Sequence, residues 1–463
     1  MQKVQFIILG LILLALPVTS QGLFEESLNT SGSDDAFHIS GFVRSLAYAG
    51  RYGDNKVYMK SFYSQAGLIT ELNAGKFGKG YGEIRYRYGN TYGEEISEFE
   101  IREAYADVFW GPLDIKAGKQ VLSYGTTSFI NPSNPYTPMD PTYRSPDPDD
   151  LRLGVWALSS IFTISPTSSL RINWFPQYTP SVLLTEPFSF PDYVEFEADV
   201  HPGLEISESS FSVQYDIRSR IFDLGLSYYN GYRNTPSIQT DTILFDPATM
   251  LPESIRLVKT PYRINAAGLN LSIPVGSYML RMEGGWIDPL EADSIQLPFS
   301  ELSYTAEIEQ LGDNINITAG YYGKYIIDFQ ASDFAASLLG APSDMSGLFP
   351  EGAVPDLQQL YAFSKSQVEG SNRLIDQQAE EFYHAAYAVM NLSVLHDQLE
   401  INVPAMYMFT TKELTLMPSI TVHITDGLSF QLGAYYLHGK ENSLFDAVSP
   451  VLNAGYGMLK VEF

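Results

Sequence analysis

Three features of the sequence predict an all-β fold, a transmembrane antiparallel β-barrel of about eighteen strands (16–18) with long loops on one side and short turns on the other. Apolar and polar residues alternate with period two through ten-to-fifteen-residue segments along the chain. Aromatics make up 13% and charged residues only 18%, a balance unlike that of a soluble surface. No window after the N-terminus is apolar enough for a membrane helix, so a membrane location requires a barrel.

The N-terminus, "MQKVQFIILGLILLALPVTSQG", reads as a signal peptide over residues 1–20. Lys3 supplies the charge, Phe6 to Leu16 the apolar run, and Val18 and Ser20 the small residues before the cut. Residues 21–35 read as a short periplasmic segment and 36–463 as the barrel. The sequence has no cysteine, which removes disulfides, thiol catalysis and Cys-ligated metal, and suits a bacterial envelope protein. A net charge of −26 argues against nucleic acid as a partner.

Period-two segments place strands at 36–48, 57–72, 80–89, 97–110, 113–123, 151–163, 168–176, 208–218 and 220–230. They continue at 261–273, 277–287, 300–311, 313–326, 380–395, 398–410, 413–424, 428–438 and 454–463. Residues 302–309 show the pattern: Leu302, Tyr304, Ala306 and Ile308 alternate with Ser303, Thr305, Glu307 and Glu309. Tight turns such as Gly111-Pro112, Val275-Gly276, Gly312-Asp313 and Asp426-Gly427 alternate with long links at 124–150, 177–207, 231–259, 288–299, 327–379 and 439–453. That alternation matches short periplasmic turns and long extracellular loops, the link near Thr411 being short where a long one is due.

The final segment "GYGMLKVEF" is read as the closing strand, with Leu459, Val461 and Phe463 on one face and Tyr456 upstream. It resembles the C-terminal signal read by the outer-membrane barrel-assembly machinery, an expected partner beside the outer-membrane lipids.

The inward faces are expected to carry Arg85, Arg87, Arg102, Arg152 and Arg171, with Glu103 among the lumenal acids, and the loop at 131–150 carries Asp140, Asp147, Asp149 and Asp150. If that loop folds inward as a constriction, a basic wall faces an acidic loop and the field across the gap orients polar solutes. Alternatively, the arginines pair with Glu83, Glu103 and Asp107 and brace the wall. The run Pro146-Asp147-Pro148-Asp149-Asp150 could hold a calcium ion, but it lacks the glycine and spacing of a defined calcium loop. No metal or cofactor is called for.

Residues 327–379 exceed a bare connection and contain two amphipathic helical stretches, "SDFAASLLG" and "VPDLQQLYAFSKS", fit for a lid or for a packed extracellular cap. Enzyme motifs are missing: no Gly-x-Ser-x-Gly, His-Glu-x-x-His, P-loop or dinucleotide-binding glycine set occurs. His384 and His423 have lumenal parity, but spacing alone puts no serine and acid beside them.

The stretch from Glu98 to Asp140 is similar to a hairpin of large porin-like families of Gram-negative bacteria, among them uncharacterised and alginate-export-like porins. The matching residues are Arg102-Glu103-Ala104-Tyr105, then Leu113, Gly118 and Gln120, then Asn131-Pro132, Asn134-Pro135 and Asp140-Pro141. Lys119 stands where those families usually have Arg, and Tyr124-Gly125 where they have Trp-Gly. The resemblance implies an outer-membrane porin that passes small hydrophilic solutes by passive diffusion. A barrel-anchored surface receptor or adhesin is the alternative, with a barrel enzyme behind it.

Overall fold

The computed structural model describes residues 36–52, 56–183, 191–246, 252–290, 297–331, 357–441 and 443–463. The expected signal peptide, the 21–35 segment and the "SDFAASLLG" stretch lie outside them.

In chain order the strands are β1 (Phe37–Gly50), β2 (Tyr58–Asn73), β3 (Gly78–Thr91), β4 (Glu94–Trp110), β5 (Leu113–Gln120), β6 (Val155–Ser165), β7 (Ser168–Phe175) and β8 (Val194–Phe196). Then come β9 (Ser210–Arg218), β10 (Asp223–Tyr232), β11 (Ser237–Phe245), β12 (Pro252–Thr260), β13 (Arg263–Val275), β14 (Tyr278–Pro289), β15 (Glu301–Gln310) and β16 (Ile315–Ile326). Last are β17 (Phe382–Val394), β18 (Leu399–Met408), β19 (Glu413–Leu416), β20 (Ser419–Thr425), β21 (Leu428–His438) and β22 (Ala454–Glu462). Two helices join them, α1 (Leu357–Ile375) and α2 (Leu444–Leu452).

All but β8, β11 and β12 form one antiparallel sheet that closes on itself where β1 meets β22, from Phe42 opposite Glu462 to Ala49 opposite Gly455. The backbone N–H of Phe463 extends this seam, donating to Gly41 O at 3.0 Å. Both β19 and β20 pair with β18 and β21, so they are two halves of a single barrel strand. The break falls at Met417-Pro418, because proline has no N–H for the ladder. The barrel therefore has eighteen strands.

Burial is the inverse of a soluble protein's. On β3, Glu83, Arg85 and Arg87 are buried while Ile84, Tyr86 and Tyr88 are exposed. On β15, Glu301, Ser303, Thr305 and Glu307 are buried and Leu302, Tyr304 and Ile308 exposed. Polar groups face a lumen and apolar ones face outward, as lipid requires. A charge forced onto the outer face tests this. Ala306, which faces outward opposite Met282 and Tyr321, sits mid-strand. Ala306→Arg is expected to cost about 2–4 kcal/mol of barrel stability, read by refolding in lipid against denaturant.

Sequence alternation did not reveal the small sheet β11-β12-β8, in which β12 pairs antiparallel with β11 and parallel with β8. Its apolar face, with Ile238, Ile243, Ile255 and Leu257, packs on Leu360 and Val368 of α1. The helix expected near Pro355 thus runs as α1 and builds a cap with a core of its own. The end of α1 is tied to the barrel rim through Asp376, whose carboxylate pairs with Arg233 at 3.3 Å and whose carbonyl accepts Lys324 Nζ at 2.6 Å; Glu301 on the rim holds both cations, Arg233 at 3.3 Å and Lys324 at 2.6 Å. Burial pushes the Asp376 carboxyl above its ordinary range, with Arg233 opposing.

Candidate functional site: the in-folded loop

The link between β5 and β6, residues 121–154, turns into the lumen and spans it. It starts at Glu103, whose Oε1 accepts the Val121 N–H at 2.7 Å.

Its first part lies on an acidic wall. Glu283 of β14 accepts the Thr127 N–H at 2.7 Å, the Thr126 N–H, and the Ser133 hydroxyl at 2.9 Å. Glu307 of β15 accepts Ser128 N–H at 3.1 Å and the Tyr387 hydroxyl at 2.7 Å, while Arg281 pairs with it at 2.9 Å. Successive backbone N–H groups aimed at carboxylates are charge-assisted and fix the loop's direction. Phe129 stacks on Tyr387 with ring centroids 5.5 Å apart.

The middle part rests on a glycine seat. Gly268 of β13 and Gly285 of β14 are register partners and face inward. A Cβ added at Gly285 would overlap the Pro132 carbonyl, and one at Gly268 would lie 2.8 Å from Ser133 Cβ. Tyr136 then packs between Phe175 and Tyr229 at 5.5 and 5.4 Å.

The last part meets a basic wall. Asp150 pairs with Arg44 at 2.7 Å and Arg85 at 2.6 Å, lies 3.8 Å from Arg102, and accepts the Ser145 hydroxyl. Arg85 also pairs with Glu83 at 2.6 Å. Burial alone would raise the Asp150 carboxyl, but Arg44 and Arg85 hold it below the usual carboxylate range. The guanidinium of Arg87 sits 4.2 Å over the Tyr143 ring and pairs with Glu98 at 2.6 Å.

Among the expected wall arginines, Arg85, Arg87 and Arg102 face the lumen on β3 and β4. Arg171 faces it on β7, opposite Gln214 and away from the loop's aspartates. Arg152 belongs to the loop, not the wall: β6 begins at Val155, and Arg152 follows a 3-10 turn and pairs with Asp149 at 2.8 Å. Asp140 and Asp147 cap their own loop, accepting Thr142 N–H and Asp149 N–H, both at 2.9 Å. Asp150 is the loop aspartate whose carboxylate meets the wall arginines. The carboxylates of the Pro146–Asp150 stretch diverge, and among the described residues no cluster of His, Cys, Asp and Glu could hold a metal ion.

His384 faces outward, against its expected parity. Tyr383 and Ala385 are its buried inward neighbours, while its ring lies 3.9 Å from that of Phe382 and bonds the Tyr321 hydroxyl. His423 stays lumenal, 3.4 Å from Glu400. Tyr456 faces inward with Tyr48 and Tyr435 at 5.3 and 5.6 Å, and Leu459 and Phe463 face outward.

Sequence reasoning did not single out Arg44, Glu283, Glu307, Gly268 and Gly285. Their inward parity was readable, since Gly268 and Gly285 interrupt otherwise filled positions of one face. What they would meet across the lumen was not.

No curated protein matches the chain. Among solved structures the fold resembles OccK2 (OpdF) of Pseudomonas aeruginosa in complex with glucuronate, with a TM-score of 0.54, 9% identity, and coverage of 92% of this chain and 97% of that one. OccAB4 of Acinetobacter baumannii gives a TM-score of 0.52 at 9% identity, covering 92% of this chain and 97% of that one. OccK8 (OprE) of P. aeruginosa gives 0.51 at 11% identity with the same coverages of 92% and 97%. At these identities the likeness is one of fold, that of an outer-membrane porin barrel. Residues 46–359, well over half of the chain, match the family described as protein of unknown function DUF1302, and the chain belongs to that family.

Proposed function

We propose that this chain is an outer-membrane channel for passive diffusion of small hydrophilic solutes, without cofactor or catalysis. The observation that carries this reading is the loop 121–154 held across a polar lumen between an acidic and a basic wall. A structural barrel has no need of such a divider. Arg85, Arg87 and Arg102 form the basic wall behind the loop and set its potential, Arg171 faces the lumen, Glu103 and Asp150 set the loop, and Asp140, Asp147, Asp149 and Arg152 shape its turn. Opposed charge walls orient dipolar solutes and disfavour apolar ones. Leu459, Val461 and Phe463, with Tyr456, serve the barrel-assembly machinery during biogenesis.

Single-channel recording of the chain refolded in lipid tests this, with glucuronate, the ligand of OccK2, among the solutes tried as blockers. Stepwise conductance is the expected result, and silence from a folded barrel overturns it. Arg87 carries the informative charge, because its Nε and Nη1 have no hydrogen-bond partner among the described residues. Arg87→Gln is expected to raise the cation-to-anion permeability ratio about 2-fold, measured by reversal potential in a salt gradient.

A surface receptor is the second reading, favoured by the cap of β8, β11, β12 and α1 with its separate core. Folded but non-conducting protein would favour it.

A further inference from the structure

Among the described residues, the loop side of the barrel is roofed in two places. Over β1–β4, the end of α2 is held by Lys60 Nζ, which donates to Pro450 O at 2.6 Å and to Val451 O and Asn453 O at 2.9 Å. Arg144 of the in-folded loop donates to Leu452 O at 2.8 Å. Over β10–β16, the cap is held by Arg233, Lys324 and Asp376. Between the two roofs lies the β18–β19 turn, residues 409–412, too short to cover anything.

A cavity of about 90 Å³ opens there. Gln377 and Glu380 line it from the segment after α1, Tyr383 from β17, Thr411 from the turn, Glu413 from the start of β19, and Lys440 from the α2 side. By contrast, the cavity between the in-folded loop and β9, β10 and β13 is about 10 Å³, room for one water. Glu413 makes a fixed frame: its carboxylate accepts the Phe445 N–H at 3.0 Å and the Thr411 hydroxyl at 2.6 Å. Across the opening, Lys440 and Glu380 stand 3.7 Å apart, both roughly half exposed. An ion pair so exposed is weak, so it opens readily.

We propose that this notch is the mouth by which solutes enter the lumen, with Lys440 and Glu380 as a swinging closure between the two roofs. Two carboxylates against one ammonium favour small polar cations over anions at the threshold. The inference rests on the channel reading above and locates its entrance.

The sequence contains no cysteine, so one introduced thiol is the sole label site. Lys440→Cys and Thr411→Cys, each modified with a bulky cationic methanethiosulfonate, are expected to lower single-channel conductance about 2-fold or more, reversed by a thiol reductant. Leu204→Cys, 79% exposed in the link between β7 and β9, is the control and is expected to leave conductance unchanged. Conduction that persists at both notch positions after modification confirmed by mass overturns the entrance and leaves the channel reading standing. Silence of the unmodified chain overturns both.

Discussion

Asp150→Ala is expected to free the in-folded loop from the basic wall. The side chains of Asp150 and Arg44 are each only 4% exposed, and Arg85 is 9% exposed. Removing the carboxylate leaves the buried Arg44 without its counter-charge and Arg85 with Glu83 alone, and breaking one side of a buried ion pair typically costs about 3–5 kcal/mol. That cost falls on docking of residues 143–152, because the barrel's own ladder does not involve Asp150. Single-channel records should show larger and noisier conductance, and limited proteolysis should cut near Arg144. Asp149→Ala is the matched control, since the Asp149 side chain is 67% exposed and pairs within the loop. Equal behaviour of the two variants would remove Asp150 from its proposed role as the latch.

The same carboxylate sets a pH dependence. Its docked pKa is depressed, so it contributes docking stability that is complete above the ordinary Asp value near ~3.9 and is lost as pH falls through the lowered one. Conductance of the unmodified protein should therefore hold steady through mild acid and rise only in stronger acid. Asp150→Asn should lack that acid transition, which a conductance titration reads directly.

How much of this was legible in the sequence depended on period. The barrel strands alternate because one face meets lipid and the other water, with register shifts such as those between β1 and β2 and between β3 and β4, and every expected strand has its counterpart. The cap escaped for a local reason. Along β11 the register shifts between Thr240 and Thr242, so Ile238 and Ile243 share one core from positions of opposite parity. In α2, nine residues with Pro450 inside carry too little helical period to read.

Parity also explains both successes and errors at the site. It assigns a face, which places Arg85 and Arg87 in the lumen. It gives no partner across the lumen, so the match of Asp150 to Arg44 or of Glu283 to the Thr126 and Thr127 amides had no sequence signal. Arg152 was misplaced because strand character was extended back to residue 151, into a turn capped by Asp147. His384 was misassigned because β17 turns Tyr383, Ala385 and Tyr387 inward, side chains that pack toward Phe129 and Ile130 of the in-folded loop.

Gly285→Val should displace the same loop from the opposite side. The Gly285 backbone carries no positive φ, and valine suits a strand, so the barrel itself accepts the change. The obstacle is Pro132, whose carbonyl oxygen and carbon both lie where the new side chain must go. Backbone cannot swing aside as a side chain can, and overpacking of this kind typically costs about 1–3 kcal/mol. Lifting Pro132 also draws Ser133 from Glu283 and strains the amides of Thr126, Thr127 and Ser128 on Glu283 and Glu307. Gly284→Val is the control one residue away: it faces outward, where the nearest atom to an added Cβ is Ser303 O at 4.0 Å. Both variants should fold to barrels with the same far-ultraviolet spectrum and heat-modified gel shift. Gly285→Val should change single-channel conductance and Gly284→Val should not. A Gly285→Val channel that conducts like the parent would mean that the loop does not set the width of the path, and the constriction would then have to lie elsewhere among the inward residues of the barrel wall, such as Arg171.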